Sequence, residues 1–321
     1  MKNNILKNWI SNASGKPFYF RQEFELKNAP VLAKAFVCGL GQFIFYLNGR
    51  KVGEHEPDPG LTVYRKYVPY VTFDVLPYLK QGRNAVGAEV GNGWYSMMKY
   101  GDSLVLAVDI VTTYKDGTTE TFSIDESGRI APHQVRMNNM YGSETIYGNM
   151  KKEGFSEVGY DDSDWWQAKN GTAPEGVLSE QSQPPIKVIK TYEAKYLHQA
   201  NGKAIYDFGQ NISGMLEFKI KGKSYTEVKF YAAEKLTEDG DADQMALGWF
   251  PFDNCIIYVI GANDIWETYR MNFTYFSGRY FAVENAGPEG TSGAELRDMT
   301  GYAIDHITPF QVPDALPQKA L

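Results

Sequence analysis

The chain has 321 residues and a formal net charge of −7, with 43% hydrophobic, 14% aromatic and 22% charged residues. That length can bury two cores, and the acidic balance excludes nucleic acid and anionic membrane surfaces as expected partners, because both need a basic field. A mean hydropathy of −0.40, the lack of any apolar run of bilayer length and the lack of a signal-peptide pattern in Met1–Ile10 exclude a membrane-resident class and make the cytoplasm the expected location.

Phe18–Leu26 alternates as a first strand, and Val31–Cys38 reads as a second. Gln42–Leu47 then alternates on two faces, Asn48-Gly49 supplies the positive-φ pair of a type I′ hairpin, and Arg50–Val52 starts the return strand. Asp74 can cap a short helical turn through Leu79 that Gly82 ends, after which Asn84–Val90 leads as a strand into the glycine-bounded pair Trp94-Tyr95. Leu104–Tyr114 is almost continuously apolar between Asp102 and the turn Lys115-Asp116-Gly117. It predicts a strand covered on both faces, with Thr118–Ile124 as its hairpin partner.

Residues 125–183 differ in texture. Asn138-Asn139, Tyr141-Gly142-Ser143 and Asp161-Asp162-Ser163-Asp164-Trp165-Trp166 predict irregular chain outside the core, the last phrase being a capped turn with a structural tryptophan. Ser182-Gln183-Pro184-Pro185 divides the chain into residues 1–183 and 184–321, since paired prolines do not continue a central strand. Beyond it, Ile186–Thr191, Ala204–Phe208, Met215–Lys221, Thr226–Ala233, Cys255–Ile260 and Arg279–Glu284 predict short strands, followed by a last strand from Gly301 and a proline-spaced tail. The expected fold class is all-β: two consecutive antiparallel β-sandwich domains.

Cys38 and Cys255 fall in apolar strands of different domains, so buried, reduced thiols are expected. Asp239, Asp241 and Asp243 have the spacing that opens an EF-hand loop, but Gln244 and Phe250 stand where that loop needs Gly and Glu. His55, His133, His198 and His306 show no ligand spacing, so no metal is assigned. No nucleophile elbow or phosphate-cradling loop occurs, and no catalytic residue is assigned.

Read in order, Ala35-Phe-Val-Cys-Gly-Leu-Gly, Phe45-Tyr-Leu-Asn-Gly-Arg-Lys-Val-Gly, Tyr64-Arg-Lys-Tyr-Val and Gly91-Asn-Gly-Trp-Tyr resemble the N-terminal β-sandwich of the bacterial α-L-rhamnosidases. Tyr206-Asp-Phe-Gly-Gln-Asn-Ile-Ser-Gly, Ala232-Ala-Glu and Phe273-Thr-Tyr-Phe-Ser-Gly-Arg-Tyr-Phe look like that family's next sandwich. The resemblance extends over the whole chain and implies jelly-roll, galactose-binding-like domains. It further implies the non-catalytic front of a glycoside hydrolase, whose acid and base belong to a helical barrel, so no catalytic carboxylate is carried to any position here. The implied partners are that helical domain, in cis or in trans, and carbohydrate in the form of rhamnosides.

In some members the corresponding sandwich binds rhamnose through calcium. Leu61 and Val63 stand here where Trp and Asp are common, and Asn92 where Asp is common, which leaves fewer oxygen ligands; no cofactor is assigned. Sugar recognition combines an aromatic face with a few hydrogen-bonding groups, and the carbohydrate-binding candidates are Asn92, Trp94 and Tyr95 on one loop with Asp58, Tyr64 and Arg65 on a neighbouring one. Two other readings stay open. A self-contained glycoside-cleaving enzyme would show two carboxylates facing each other across a pocket between the sandwiches. A module docking a separate catalytic chain would show an exposed apolar patch near residues 301–321.

Overall fold

The computed structural model describes residues 5–101, 104–247 and 255–305. Among them the fold is all-β, and the one α-helical segment is the short turn Trp94–Met97. No helix of the described residues is long and apolar enough to cross a membrane.

Two sheets face each other in the first part of the chain. One runs in the order Lys169–Asn170, Ile10–Ser11, Val105–Thr113, Leu32–Leu40, Tyr67–Asp74 and Val177–Glu180, with Thr119–Ser123 also paired to Val105–Thr113. The other runs Trp166–Gln167, Arg129–Pro132, Phe18–Leu26, Gly82–Gly91, Gln42–Leu47 and Arg50–Lys51. Alternation decides which residues meet between them. Phe18 and Phe20, Phe43 and Phe45, Val86 and Ala88, and Leu106 and Val108 all enter one core cluster. The opposite faces are covered too. Val105, Ala107, Cys38 and Leu40 pack against Leu6, Trp9 and Tyr64, while Tyr19 packs with Phe155 and Trp165. The apolar run Leu104–Tyr114 is therefore read correctly as a strand buried on both sides. The hairpin is also as its residues require, with Asn48 at φ 50° and Gly49 at φ 80°.

The second part forms one large sheet. Its order is Val135–Asn139, Ser143–Tyr147, Cys255–Val259, Glu227–Ala233, Phe276–Glu284, Lys203–Lys221, Ala294–Asp305 and Lys187–Glu193, with three further short strands paired at its flanks. Most of its apolar residues close on a core that includes Tyr206, Phe208, Phe218, Phe230, Tyr258 and Phe281, and a smaller cluster gathers Ile205, Ala233 and Ala282. Ala204–Phe208 and Met215–Lys221 prove to be parts of one 19-residue strand. Its pairing register slips between Asp207 and Ile212, where Gly209 adopts φ 73° and donates its N–H to Asp207. Arg279 grips the same Asp207 through two 2.8 Å bonds, and this bidentate pair holds the Asp207 carboxyl below the usual carboxylate range.

The stretch 125–183 differs from its reading as irregular chain outside the core. Val135–Asn139 and Ser143–Tyr147 form a hairpin whose second strand runs parallel to Cys255–Val259, and Val135 and Ile146 are fully buried in the second core. The chain thus enters the large sheet, returns to the first pair of sheets at Trp166–Gln167, Lys169–Asn170 and Val177–Glu180, and leaves again to form Lys187–Glu193. Sheet membership does not follow a single cut at residue 183. Parallel pairs such as this one also qualify the antiparallel expectation locally. The phrase Asp161–Trp166 behaves as a capped turn: Ser163 donates its N–H to Asp161 at 3.1 Å, and Trp165 is buried against Phe155 and Tyr160. Cys38 and Cys255 are both buried, in different sheets. Asp239 accepts from Asn201 at 2.8 Å and Asp241 pairs with Lys203 at 2.6 Å, so these carboxylates hold a surface turn together. Asp102, Phe250, His306 and most of the region expected to show an apolar patch, residues 306–321, lie outside the described residues.

The two parts are joined through buried polar groups. Glu89 accepts from the Tyr46 hydroxyl at 2.7 Å, from His133 Nε2 at 2.7 Å and from Asn272 Nδ2 at 2.6 Å. His133 Nδ1 accepts the Val135 N–H at 3.0 Å, which leaves the ring proton on Nε2 and makes this histidine a neutral donor to Glu89. Glu144, with no exposure, accepts from the Tyr269 hydroxyl, the Phe273 N–H at 2.7 Å and the Asn272 N–H at 3.3 Å. Beside this network Gly91 lies against the Phe273 ring, where a Cβ would come within 2.3 Å of ring carbons.

Two outcomes follow from this junction. Burial pushes the Glu144 carboxyl up to about 7 from an ordinary 4.5, against the opposing effect of its three hydrogen bonds. The folded state therefore holds a proton there that the unfolded chain releases between those values. The associated stability is complete below the ordinary value and is lost as pH rises through the folded one, by on the order of 3 kcal/mol. Urea unfolding at a series of pH values should show this loss between pH 4.5 and 7 in the wild type and a flatter profile in Glu144→Gln. Gly91→Ala should lower stability by about 1–3 kcal/mol in the same assay, because the buried Phe273 ring has to move.

Candidate functional site

A hollow beside several of the predicted site residues is lined by Tyr64, Arg65, Tyr95, Tyr100 and the segment Thr172–Glu175, with a volume of about 380 Å³. Its walls come from three places in the sequence. Tyr64 and Arg65 precede the strand Tyr67–Asp74. Opposite them, Val177–Glu180 pairs in parallel with that strand, and the Val177 N–H bonds to the Lys66 carbonyl at 3.0 Å, which draws the preceding segment alongside. Gly176 permits this approach, since a Cβ there would stand 2.2 Å from the Tyr64 carbonyl oxygen. The third wall is the turn Trp94–Met97 and its exit, in which the Tyr100 N–H bonds back to the Tyr95 carbonyl at 3.0 Å.

The aromatic geometry is a three-ring cluster. Tyr64 meets Tyr95 edge-on at 5.3 Å and Tyr100 edge-on at 5.4 Å, while Tyr95 and Tyr100 lie nearly parallel at 6.3 Å. Tyr64 is almost fully buried, and that burial pushes its phenol up, so it is a neutral floor rather than an ionising group. Arg65 is exposed, with its guanidinium 5.7 Å from the centre of the Tyr100 ring. Among the described lining residues Glu175 is the one carboxylate. The arrangement offers ring faces, a cation and an acid at a rim, which suits a ligand carrying both C–H surface and hydroxyls.

The structure brings Tyr64, Arg65 and Tyr95 together and places Asn92, Trp94 and Asp58 outside this lining. Asn92 belongs to the junction: its N–H donates to Asn138 Oδ1 at 3.0 Å, and Asn138 Nδ2 donates back to its carbonyl at 2.8 Å. Trp94 is half-buried and edge-on to Tyr141 at 6.1 Å. Asp58 is buried 2.7 Å from His55 Nδ1 and its carbonyl accepts the Phe43 N–H, so it fixes a loop. Tyr100 and Glu175 were not foreseen, because nothing in the local pattern links residue 175 to residue 64.

The calcium that the resemblance implies for some relatives does not fit these positions. Leu61 and Val63 are exposed side chains without a donor atom, and the Asn92 amide oxygen lies 3.5 Å from the Ser96 hydroxyl. No group of three His, Cys, Asp or Glu side chains able to hold a metal occurs among the described residues.

Comparison with known proteins places the chain in a family. The model of the α-L-rhamnosidase N-terminal domain matches residues 28–190, and that of the bacterial α-L-rhamnosidase concanavalin-like domain matches residues 197–305. An α-L-rhamnosidase of Formosa agariphila is 32% identical over 318 residues, covering 94% of this chain and 33% of the relative. One of Streptomyces avermitilis is 29% identical, covering 90% of this chain and 28% of the relative. Among solved structures, the α-L-rhamnosidase of Dictyoglumus thermophilum superposes with a TM-score of 0.82 at 28% identity, covering 95% of this chain and 36% of that one. The Streptomyces avermitilis α-L-rhamnosidase complexed with L-rhamnose gives a TM-score of 0.82 at 27% identity, covering 94% and 29%. The chain thus spans about a third of the length of the curated relatives it matches. With two family domains matched in order over residues 28–190 and 197–305, the chain belongs to the bacterial α-L-rhamnosidase family and corresponds to its N-terminal region.

Proposed function

We propose that these residues are the accessory part of an α-L-rhamnosidase, supporting a catalytic helical domain and holding rhamnose-containing carbohydrate in the Tyr64, Tyr95 and Tyr100 pocket. The observation that carries the first half is the match to the two sandwich domains alone over about a third of the relatives' length. The observation that carries the second is the pocket itself. Its aromatic walls and single described carboxylate, Glu175, suit holding a sugar, whereas cleavage ordinarily needs two acids on opposite sides of the bond. In this reading Tyr100 and Tyr95 cover the C–H face of the ring, and Arg65 and Glu175 bond its hydroxyls. Calcium takes no part.

Titration calorimetry with L-rhamnose and a rhamnoside should give binding in the millimolar range, on the order of −4 kcal/mol, with the same affinity in EDTA. Tyr100→Ala should weaken it about tenfold, the worth of one lost ring contact. Absence of heat at millimolar ligand would remove the sugar site from the proposal. Sustained turnover of a chromogenic rhamnoside by the purified 321-residue chain would instead overturn the accessory role.

A further inference from the structure

A second hollow, of about 250 Å³, opens where the sheet carrying Tyr46 and Glu89 meets the loop from Lys151 to Glu157. It shares no lining residue with the Tyr64 pocket. Two of its groups point to a ligand. Gln134 is only 7% exposed, lines the hollow, and its side-chain amide makes no hydrogen bond to the protein among the described residues. An amide so enclosed, with two donors and an acceptor facing one small space, bonds whatever occupies that space, water or the hydroxyls of a ligand. Glu89, also 7% exposed, lines the same space.

The hydrogen-bond inventory narrows the ligand. Glu89 Oε2 is filled by His133 and Asn272, but Oε1 accepts only from Tyr46 among the described residues and keeps a second lone-pair site. The Tyr46 hydroxyl spends its proton on Glu89 and keeps acceptor capacity. The floor therefore presents an acceptor at Glu89, an acceptor at Tyr46, and both donors and an acceptor at Gln134. Neighbouring hydroxyls on one small molecule, each able to donate and accept, match that set.

Charge points the same way. Lys151 pairs with Glu153 at 2.8 Å, and Lys152 pairs with Asp164 at 3.6 Å while lying over the Trp165 ring. Both cations are thus already balanced, and Glu89 at the floor disfavours an anion. Phe155 and Tyr19 form the apolar backing of the hollow, their rings packed against each other and against Trp165.

We propose that this hollow is a second carbohydrate site, taking one neutral pyranose or a comparable polyol through Glu89, Tyr46 and Gln134. It stands independently of the Tyr64 pocket. The test is nuclear magnetic resonance on the intact chain, following the backbone amides of residues 151–157 in every variant, and the Gln134 side-chain amide where it is present, while L-rhamnose, D-galactose, D-glucose, myo-inositol and D-glucuronate are added in turn to about 100 mM. The expected result is a saturable shift with at least one neutral polyol, weakened at least fivefold in Gln134→Leu and in Tyr46→Phe and unchanged in Tyr100→Ala. If Gln134→Leu does not fold, the amide shift in the wild type and the Tyr46→Phe comparison decide the matter. No shift with any neutral polyol, unchanged binding in the folded variants, or binding of glucuronate as tight as that of the neutral sugars would each overturn the proposal.

Discussion

The carboxylate of Glu89 sits where the two halves of the molecule touch, buried and bonded only to neutral donors. A charge in that position is tolerable because every contact is a strong one, and each donor comes from a different segment: Tyr46 from the hairpin strand, His133 from the link between sheets, Asn272 from the connection between Glu267–Arg270 and Phe276–Glu284. Removing any of them leaves a buried acceptor short of a partner, so the network favours one relative placement of the sheets. Hydrophobic contact at the junction is less directional. The Phe273 ring fits over Gly91, and it does so because that position has no side chain. The polar bonds set the register, and the apolar contact fills the space they leave.

Much of the architecture was legible wherever the signal was local. Phe18–Leu26 was read to its observed limits because strict alternation is a property of neighbouring residues. Asn48-Gly49 was read because the turn's dihedral requirements fall on two adjacent positions. The hairpin at residues 135–147 was hidden for the opposite reason. Its phrases Asn138-Asn139 and Tyr141-Gly142-Ser143 look like turns, and the partner that makes its second strand a strand, Cys255–Val259, lies more than a hundred residues away. The buried role of Asn138 explains its composition after the fact: it spends its amide on Asn92 and on the Phe273 carbonyl.

The same divide runs through the site. Tyr64, Arg65 and Tyr95 line one hollow because folding brings their short loops together. Asn92 and Asp58 carry the right chemistry but use it on the protein itself, one at the junction and the other beside His55. No composition rule separates an amide that serves a ligand from one that serves a loop. Glu175 became part of the pocket only through the parallel pairing of Val177–Glu180 with Tyr67–Asp74.

The excursion of residues 135–147 into the large sheet has a bearing on how such a chain can be divided or recombined. A strand pair donated by one half and buried in the core of the other makes the halves topologically interlocked, since neither can be copied elsewhere without carrying part of its neighbour. Shuffling at the proline-rich link would deprive the later sheet of its outer ribbon and expose Tyr258 and the surface beside it.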